Sequence, residues 1–515
     1  MFFEKNLFPL TFTQWIWKNN ENKIYLILFI FLLITQYIFF IRIYPYPNFL
    51  PDSYSYIEAA FQNVSINMWP VGYSKFLRFV SVFDHSGAGL FAVQYFLLSG
   101  SILFFLLTIK FLLNVGIWVI RLLYIVLIIN PLWLYLSNFV SSDALFASTS
   151  LLWLTSLLWI MNEPGNSLVL FHGLILFFVF SVRYNAMYYP IITVLVILTT
   201  KTVIKQKIIW LFLSCLPVFI FLIHTISTYQ DKTNTTQFSP FGGWQLAANA
   251  MYMYAHISPK SKMLIPNELM NLHNLTVEHM DSLNHIPENK RPDNELGIYY
   301  LWNEKAPLKL FLAYKYSKDS TTNYLKRWAK VAPLYGRYGA WLIKQYPLEF
   351  ARYYLWPNLV NYYVPSPEFL GVYNMGSDSI EIGAMQWFGY KSRKVSGYSK
   401  DKMITVTKIF SPTLAIINVL FFTGFLGFVY LRGVKKVSLF YKNALFLFLI
   451  IWFSNLSFSV VASPIVLRYQ VFPFIFTLTF AIILLSYVIQ ECFTIPQNGQ
   501  PKFSNLEGHI ATIVK

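Results

Sequence analysis

The stretch Pro51-Asp52-Ser53-Tyr54-Ser55-Tyr56-Ile57-Glu58, and a little further on Trp69-Pro70-Val71-Gly72-Tyr73, follows directly on a strongly apolar run. It puts carboxylates among aromatic rings where a chain would leave a bilayer. A catalytic carboxylate at that point would meet both a lipid-borne and a water-borne reactant. Asp143, Arg183 and Arg468 also stand at ends or breaks of apolar runs. An arginine beside hydrocarbon is costly unless paired or hydrated, so Arg183 and Arg468 need carboxylates or a lipid phosphate. Each residue has a plainer reading beside this one. Pro-Asp-Ser before an amphipathic helix is an N-cap signature for Asp52, and Ser141-Ser142-Asp143 is another. Long basic side chains also snorkel to headgroups. Glu58 lies more than one helical turn beyond Asp52 and reads as a solvated face. His172 and His224 sit in apolar runs without metal-ligand spacing and read as hydrogen-bonded packing elements.

The elements that must position these residues are membrane helices. The 515 residues are 56% hydrophobic and 12% charged, far from the balance of a soluble domain, so the chain reads as an all-α polytopic membrane protein. A net charge of +17 invites a nucleic-acid reading. The basic residues, however, cluster in short connections between apolar runs, where orientation signals sit, so no nucleic-acid partner is expected. Two cysteines in separate runs give no disulfide framework.

Apolar runs, several of them long enough for a core of about 30 Å and two of them short (167–182 and 186–200), predict ten transmembrane helices, over residues 24–43, 89–113, 117–136, 143–161, 167–182, 186–200, 208–227, 404–431, 439–461 and 465–489. Asn130-Pro131 should kink the third. Lys5, Lys18 and Lys23 place the N-terminus in the cytoplasm, and Lys201, Lys205, Lys207, Arg432, Lys435, Lys436 and Lys442 then also fall inside. The expected organisation is an N-terminal membrane module over 1–228 with a first outer loop at 44–88, and a mostly helical outer domain over 229–403 between helices seven and eight. A C-terminal membrane module over 404–490 and a cytoplasmic tail over 491–515 complete it. Lys75 and Arg78 among Phe76, Leu77, Phe79 and Val80 predict interfacial helices in the first loop.

The order and sidedness of these motifs resemble the type C glycosyltransferase superfamily, which includes bacterial aminoarabinose transferases and protein O-mannosyltransferases. Asp52 with Tyr56 and Pro70-Gly72 carries the first-loop motif. The segment from Asn130-Pro131 to Asp143 carries the turn between helices three and four, and Arg468-Tyr469 with Pro473 the last helix. The resemblance implies transfer of a sugar from a polyprenyl-phosphate donor to a glycan, lipid or protein acceptor, at the outer face of a bacterial inner membrane. It makes Asp52 the general base, with Arg468, then Arg183, on the lipid phosphate and Lys75 and Arg78 as further donors. Asp143 and Tyr56 line the substrate site, and Tyr54, Trp69 and Tyr73 stack on sugar or prenyl. Several members carry a paired Asp-Glu in the first loop. Here Ser53 follows Asp52, which leaves a divalent cation as an open possibility. Two other classes also stay open: a transporter or flippase of a lipid-linked or anionic solute, and a non-catalytic scaffold in surface-polysaccharide assembly.

Overall fold

The computed structural model describes residues 11–257, 264–293, 297–319, 321–397 and 403–494; Lys5 and the expected tail from residue 495 onward lie outside them. Helices account for every regular element there. The first group is α1 (Phe12–Lys18), α2 (Asn20–Ile43), α3 (Pro51–Phe61), α4 (Gly72–Ser81), α5 (Gly87–Leu113), α6 (Ile117–Ile128), α7 (Leu132–Ser137), α8 (Asp143–Asn162), α9 (Asn166–Val182), α10 (Tyr189–Thr199) and α11 (Ile204–Thr233). An inserted helical region holds α12 (Phe241–Tyr254), α13 (Met270–Asn284), α14 (Tyr299–Trp302), α15 (Pro307–Lys315), α16 (Tyr324–Gln345), α17 (Pro347–Phe350), α18 (Trp356–Tyr363) and α19 (Ile382–Trp387). The chain then returns through α20 (Phe410–Tyr430), α21 (Gly433–Lys436), α22 (Leu439–Ala462) and α23 (Val471–Thr494).

Among the described residues seven helices are long and apolar enough to cross a membrane: α2, α5, α8, α11, α20, α22 and α23, with α6, α9 and α10 as shorter apolar helices. Helices suit these sequences because every backbone N–H and C=O is satisfied within the segment. Where proline breaks that rule, side chains repair it. Pro131 separates α6 from α7; the Asn130 side-chain oxygen accepts from Leu132 N–H at 3.0 Å, and the Trp133 indole donates to the Leu127 carbonyl at 2.6 Å. His172 is a packing element of the kind its sequence suggested, bonded to Ser156 at 2.7 Å and Thr193 at 3.0 Å.

The inserted region has its own apolar core, built where α12 crosses α16. Trp244 stacks on Trp328 with centroids 5.1 Å apart, and Tyr335 meets Trp244 edge-on. Gly243 makes this approach possible, since a Cβ there would lie 2.1 Å from the Ala332 carbonyl oxygen. A third cluster joins α3 and α4 of the first loop to α19. The first loop is thus wedged between the helical bundle and the inserted region.

Candidate functional site

Two short backbone pairings assemble the site. Asn48 pairs in parallel with Phe139: Asn48 N–H donates to the Asn138 carbonyl at 2.8 Å, and Val140 N–H to the Asn48 carbonyl at 3.0 Å. This fixes the chain before α3 against the turn before α8. Ser53 completes the tie, accepting from Leu50 N–H at 2.8 Å and donating to the Val140 carbonyl at 2.7 Å. Ser53, not Asp52, therefore serves the start of α3, and the Asp52 carboxylate is spared from capping. Gln94 of α5 holds the same turn, donating to the Ser137 and Phe139 carbonyls at 2.7 and 2.9 Å and accepting from the Tyr73 hydroxyl at 3.0 Å.

The second pairing joins Ser366 to Val466, with Leu467 N–H donating to the Ser366 carbonyl at 2.9 Å. Asn358 of α18 secures it. Its amide donates to the Val460 and Ser463 carbonyls at 2.8 and 2.9 Å, and its oxygen accepts from Ile465 N–H at 3.0 Å. The carbonyl end of α22 is satisfied in this way. Gly72 brings in the remaining wall: a Cβ there would lie 2.5 Å from the Ser181 backbone, so only a bare backbone lets α4 lie this close to the end of α9, two residues before Arg183.

These ties bring three carboxylates to two guanidinium groups. Asp143 is almost fully buried, at 1% exposure; one of its oxygens takes Arg183 Nη1, and the other takes Arg468 Nη1 at 3.3 Å and the Ser141 hydroxyl at 2.8 Å. Arg468 Nε donates to Glu368 Oε2 at 3.4 Å. Asp52 is held more loosely, with Oδ2 at 3.9 Å from Arg468 Nη1, and its side chain is 25% exposed. The two arginines share one aromatic ring, their guanidinium carbons lying 4.4 and 4.6 Å from the Tyr469 ring centroid. Cation–π contact of this kind favours charge kept away from water.

A cavity of about 450 Å³ opens onto this cluster, lined by Asp52, Tyr56, Arg183, Glu368, Arg468 and Tyr469, with Trp69, Phe241 and Trp302 on a second wall. That volume falls within the roughly 300–1,000 Å³ typical of small-ligand sites. The Trp69 ring lies 5.0 Å from Phe241 and 5.6 Å from Trp302, so the Trp69-Pro70 motif is set into the inserted region. Tyr56 pairs with Ser142 at 3.3 Å between the hydroxyl oxygens.

Burial pushes the Asp52 carboxyl above its ordinary value; Arg468 and Arg183 pull it back, and Asp143 adds to the rise. Glu368 is pushed up for the same first reason, with Arg468 opposing and Asp52 adding. Burial also raises the Tyr56 phenol, which keeps its proton and can donate it in a hydrogen bond. The arrangement offers a carboxylate able to take a proton next to two cations able to hold an anion.

Asp52, Tyr56, Asp143, Arg183 and Arg468, scattered through the sequence, are therefore neighbours. Lys75 and Arg78 are not part of the cluster. Lys75 Nζ donates to the Asn63 carbonyl and side-chain oxygen at 3.2 and 2.6 Å, and Arg78 Nη1 to the Ala60 carbonyl at 3.2 Å. Because α4 lies along the back of α3, their charges sit at the carbonyl end of that helix, away from the cavity. Tyr73 is buried below the loop, and Tyr54 lines a different cleft. Glu368 escaped the sequence reading. It follows Ser366-Pro367 in a proline-containing connection and reaches Arg468, 100 positions away, only through the 366–466 pairing. Its backbone has φ +45°, a conformation that costs a residue with a side chain about 1–3 kcal/mol.

The donor set does not suit a divalent cation. Both Asp143 oxygens are engaged by guanidinium groups, Glu368 and Asp52 face Arg468, and among the described residues no three His, Cys, Asp or Glu side chains are placed to hold a metal ion. In comparisons with protein-family models, with curated proteins and with solved structures, the chain has no match.

Proposed function

We propose that this chain is a membrane glycosyltransferase, moving a sugar from a polyprenyl-phosphate donor to an acceptor hydroxyl at the outer face of a bacterial cytoplasmic membrane. The observation that carries this reading is a carboxylate of raised pKa, Asp52, sharing one cavity with Arg183 and Arg468. Asp52 takes the proton of the acceptor hydroxyl as its oxygen attacks the anomeric carbon. The bond from that carbon to the phosphate oxygen breaks, and its electron pair stays on the lipid phosphate. One displacement of this kind inverts the anomeric centre. Charge grows on the phosphate as the bond breaks, so fixed guanidinium groups favour the transition state over the ground state. Arg183 is engaged by Asp143 through Nη1 alone, which leaves the rest of its fork for phosphate. The wall of Trp69, Phe241 and Trp302 offers ring faces to a sugar.

On this reading α6, α9 and α10 join the seven long helices to make ten spans, and residues 229–403 lie outside as a periplasmic domain. Lys201 between α10 and α11, with Lys205 and Lys207 in the first turn of α11, supports that orientation. The test is incubation of the purified protein with a panel of polyprenyl-phosphate sugars and candidate acceptors, following donor consumption and release of polyprenyl phosphate. One donor should be consumed by the native chain and spared by Asp52→Asn. A transporter or scaffold consumes none, and equal consumption by the variant removes Asp52 from the chemistry.

A further inference from the structure

A second, larger cleft of about 770 Å³ lies on the far side of α3 from the Asp52 cavity. Along a helix of 3.6 residues per turn, Asp52 and Tyr56 share one face, while Tyr54, Glu58 and, just past the helix end, Gln62 point to the other and line this cleft. The opposite wall comes from the chain around α19 and from the first turn of α16, bringing Glu381, Gln386 and Tyr324. Ser55 and Met68 line both spaces, so the two are separated by the thickness of one helix face. Asn67 braces that partition, donating to the Ser55 hydroxyl at 3.1 Å.

The lining is amphipathic, with Ile57, Phe61, Val64, Ile66 and Leu325 contributing apolar surface beside the polar side chains. Glu58, Gln62, Glu381 and Gln386 are exposed, and Tyr54 and Tyr324 present phenol rings between them. Glu381 precedes α19 without capping it, so its carboxylate is not spent on the helix end. Two carboxylates share the lining with one cation, Lys232, which donates to the Ser65 hydroxyl at 2.9 Å, while Arg393 nearby donates to the Ile380 carbonyl at 2.7 Å. The acid excess of this lining disfavours phosphates and uronates, and the carboxylates and amides set among its apolar residues disfavour a bare acyl chain. Carboxylates and amides that pair with vicinal hydroxyls, alternating with flat rings, match a neutral sugar chain.

We infer that this cleft binds an uncharged oligosaccharide, the acceptor, whose terminal hydroxyl reaches Asp52 past Ser55 and Met68. The inference rests on the reading of Asp52 as the general base. It narrows the acceptor from glycan, lipid or protein to a glycan, and gives Glu58 and Glu381 the part of binding residues.

The experiment uses the full chain in nanodiscs with four neutral pentasaccharides as probes, those of cellulose, amylose, chitin and β-mannan, and with pentagalacturonic acid as the anionic counterpart. Saturation-transfer NMR reads binding. At least one neutral probe should bind and the acidic one should not. Glu58→Gln combined with Glu381→Gln should weaken binding about tenfold. Gln386→Trp, at an exposed position, should fill the cleft and abolish the signal, which serves if the double variant folds poorly. Asp52→Asn should keep the signal. Absence of any neutral binding, preference for the acidic probe, or binding indifferent to both cleft variants overturns the inference. Binding that persists while Asp52→Asn still transfers sugar overturns the base assignment instead, so the two failures are distinguishable.

Discussion

Two charge clusters lie at the two ends of α2, and they are built differently. At its start, Glu21 receives Lys110 at 2.8 Å, with Arg121 at 3.7 Å, and accepts from the Tyr25 hydroxyl at 2.9 Å. Lys110 also donates to the Asn22 side chain at 2.8 Å and lies over the Tyr25 ring. One carboxylate there has two cations, and none of these residues lines either cavity. Beyond the other end of α2, three carboxylates share two arginines, the third carboxylate sits at 3.9 Å, and a cavity opens over them. Charge count, slack and access differ together. The first cluster is what joining α2, α5 and α6 requires. The second leaves a carboxylate short of a full partner beside open space, an arrangement with a cost in stability that packing alone does not repay.

The largest effect tests that contrast directly. Asp52→Asn should lower sugar transfer by about 10²–10⁴-fold, the usual worth of a general base, with expression and monodispersity in detergent unchanged. Glu21→Gln should do the reverse. It keeps activity within about twofold but strands Lys110, lowering the thermal midpoint by an amount corresponding to roughly 1–3 kcal/mol. If Glu21→Gln abolishes transfer while Asp52→Asn spares it, the assignment of roles to the two clusters is inverted.

Next in size is Arg468→Gln. It removes the cation that Asp52, Asp143 and Glu368 share, and should cost about 10²–10³-fold in kcat, as loss of a donor to a developing anion does. Arg121→Gln at the other cluster should be silent in kcat, since Glu21 retains Lys110. Measuring both kcat values with the same donor sharpens the comparison, because equal losses would mean the arginines act through general stability.

How much of this was legible from the sequence follows from the range of the interactions. The apolar runs, the Asn130-Pro131 break and the two helices of the first loop are local consequences of composition and spacing, and the described helices follow them. Asp52, Asp143, Arg183 and Arg468 stood out because charge at a helix end in a hydrophobic chain is costly wherever it is placed. Glu368 did not, because a glutamate in a connection outside the apolar runs has no such cost until the 366–466 pairing carries it to Arg468. Lys75 and Arg78 misled for the complementary reason. Their amphipathic pattern fixes that α4 is a helix but not which side of α3 it lies on, and that side is set by the contact of Gly72 with Ser181.

A smaller effect concerns pH. Transfer needs Asp52 unprotonated, and its carboxyl is raised by burial, so the acid limb of kcat/KM should lie above the value of about 3.9 of a free aspartate. Activity is then present above that limb and lost as pH falls through it. Arg468 pulls the Asp52 value down, so Arg468→Gln should move the limb to higher pH in whatever activity remains. Arg121→Gln, acting at the far cluster, should leave it in place. A limb that moves down on loss of Arg468, or equally in both variants, would assign the titration to another group.

The smallest expected effect comes from Lys75→Gln and Arg78→Gln, which lie near Asp52 in sequence but face away from it. Each gives up hydrogen bonds to the end of α3 that are partly open to solvent, so stability should change by about 0.5 kcal/mol or less, and kcat should stay within about twofold. The pair separates two accounts of the first loop. If its basic residues held the lipid phosphate, losing either would raise the donor KM tenfold or more. If they only cap a helix, donor KM stays constant while Arg183→Gln, at the cavity, raises it. A donor KM that rises for Lys75→Gln and not for Arg183→Gln would move the phosphate from the arginine cluster to the back of α3, and the comparison of the two ends of α2 would lose its functional half.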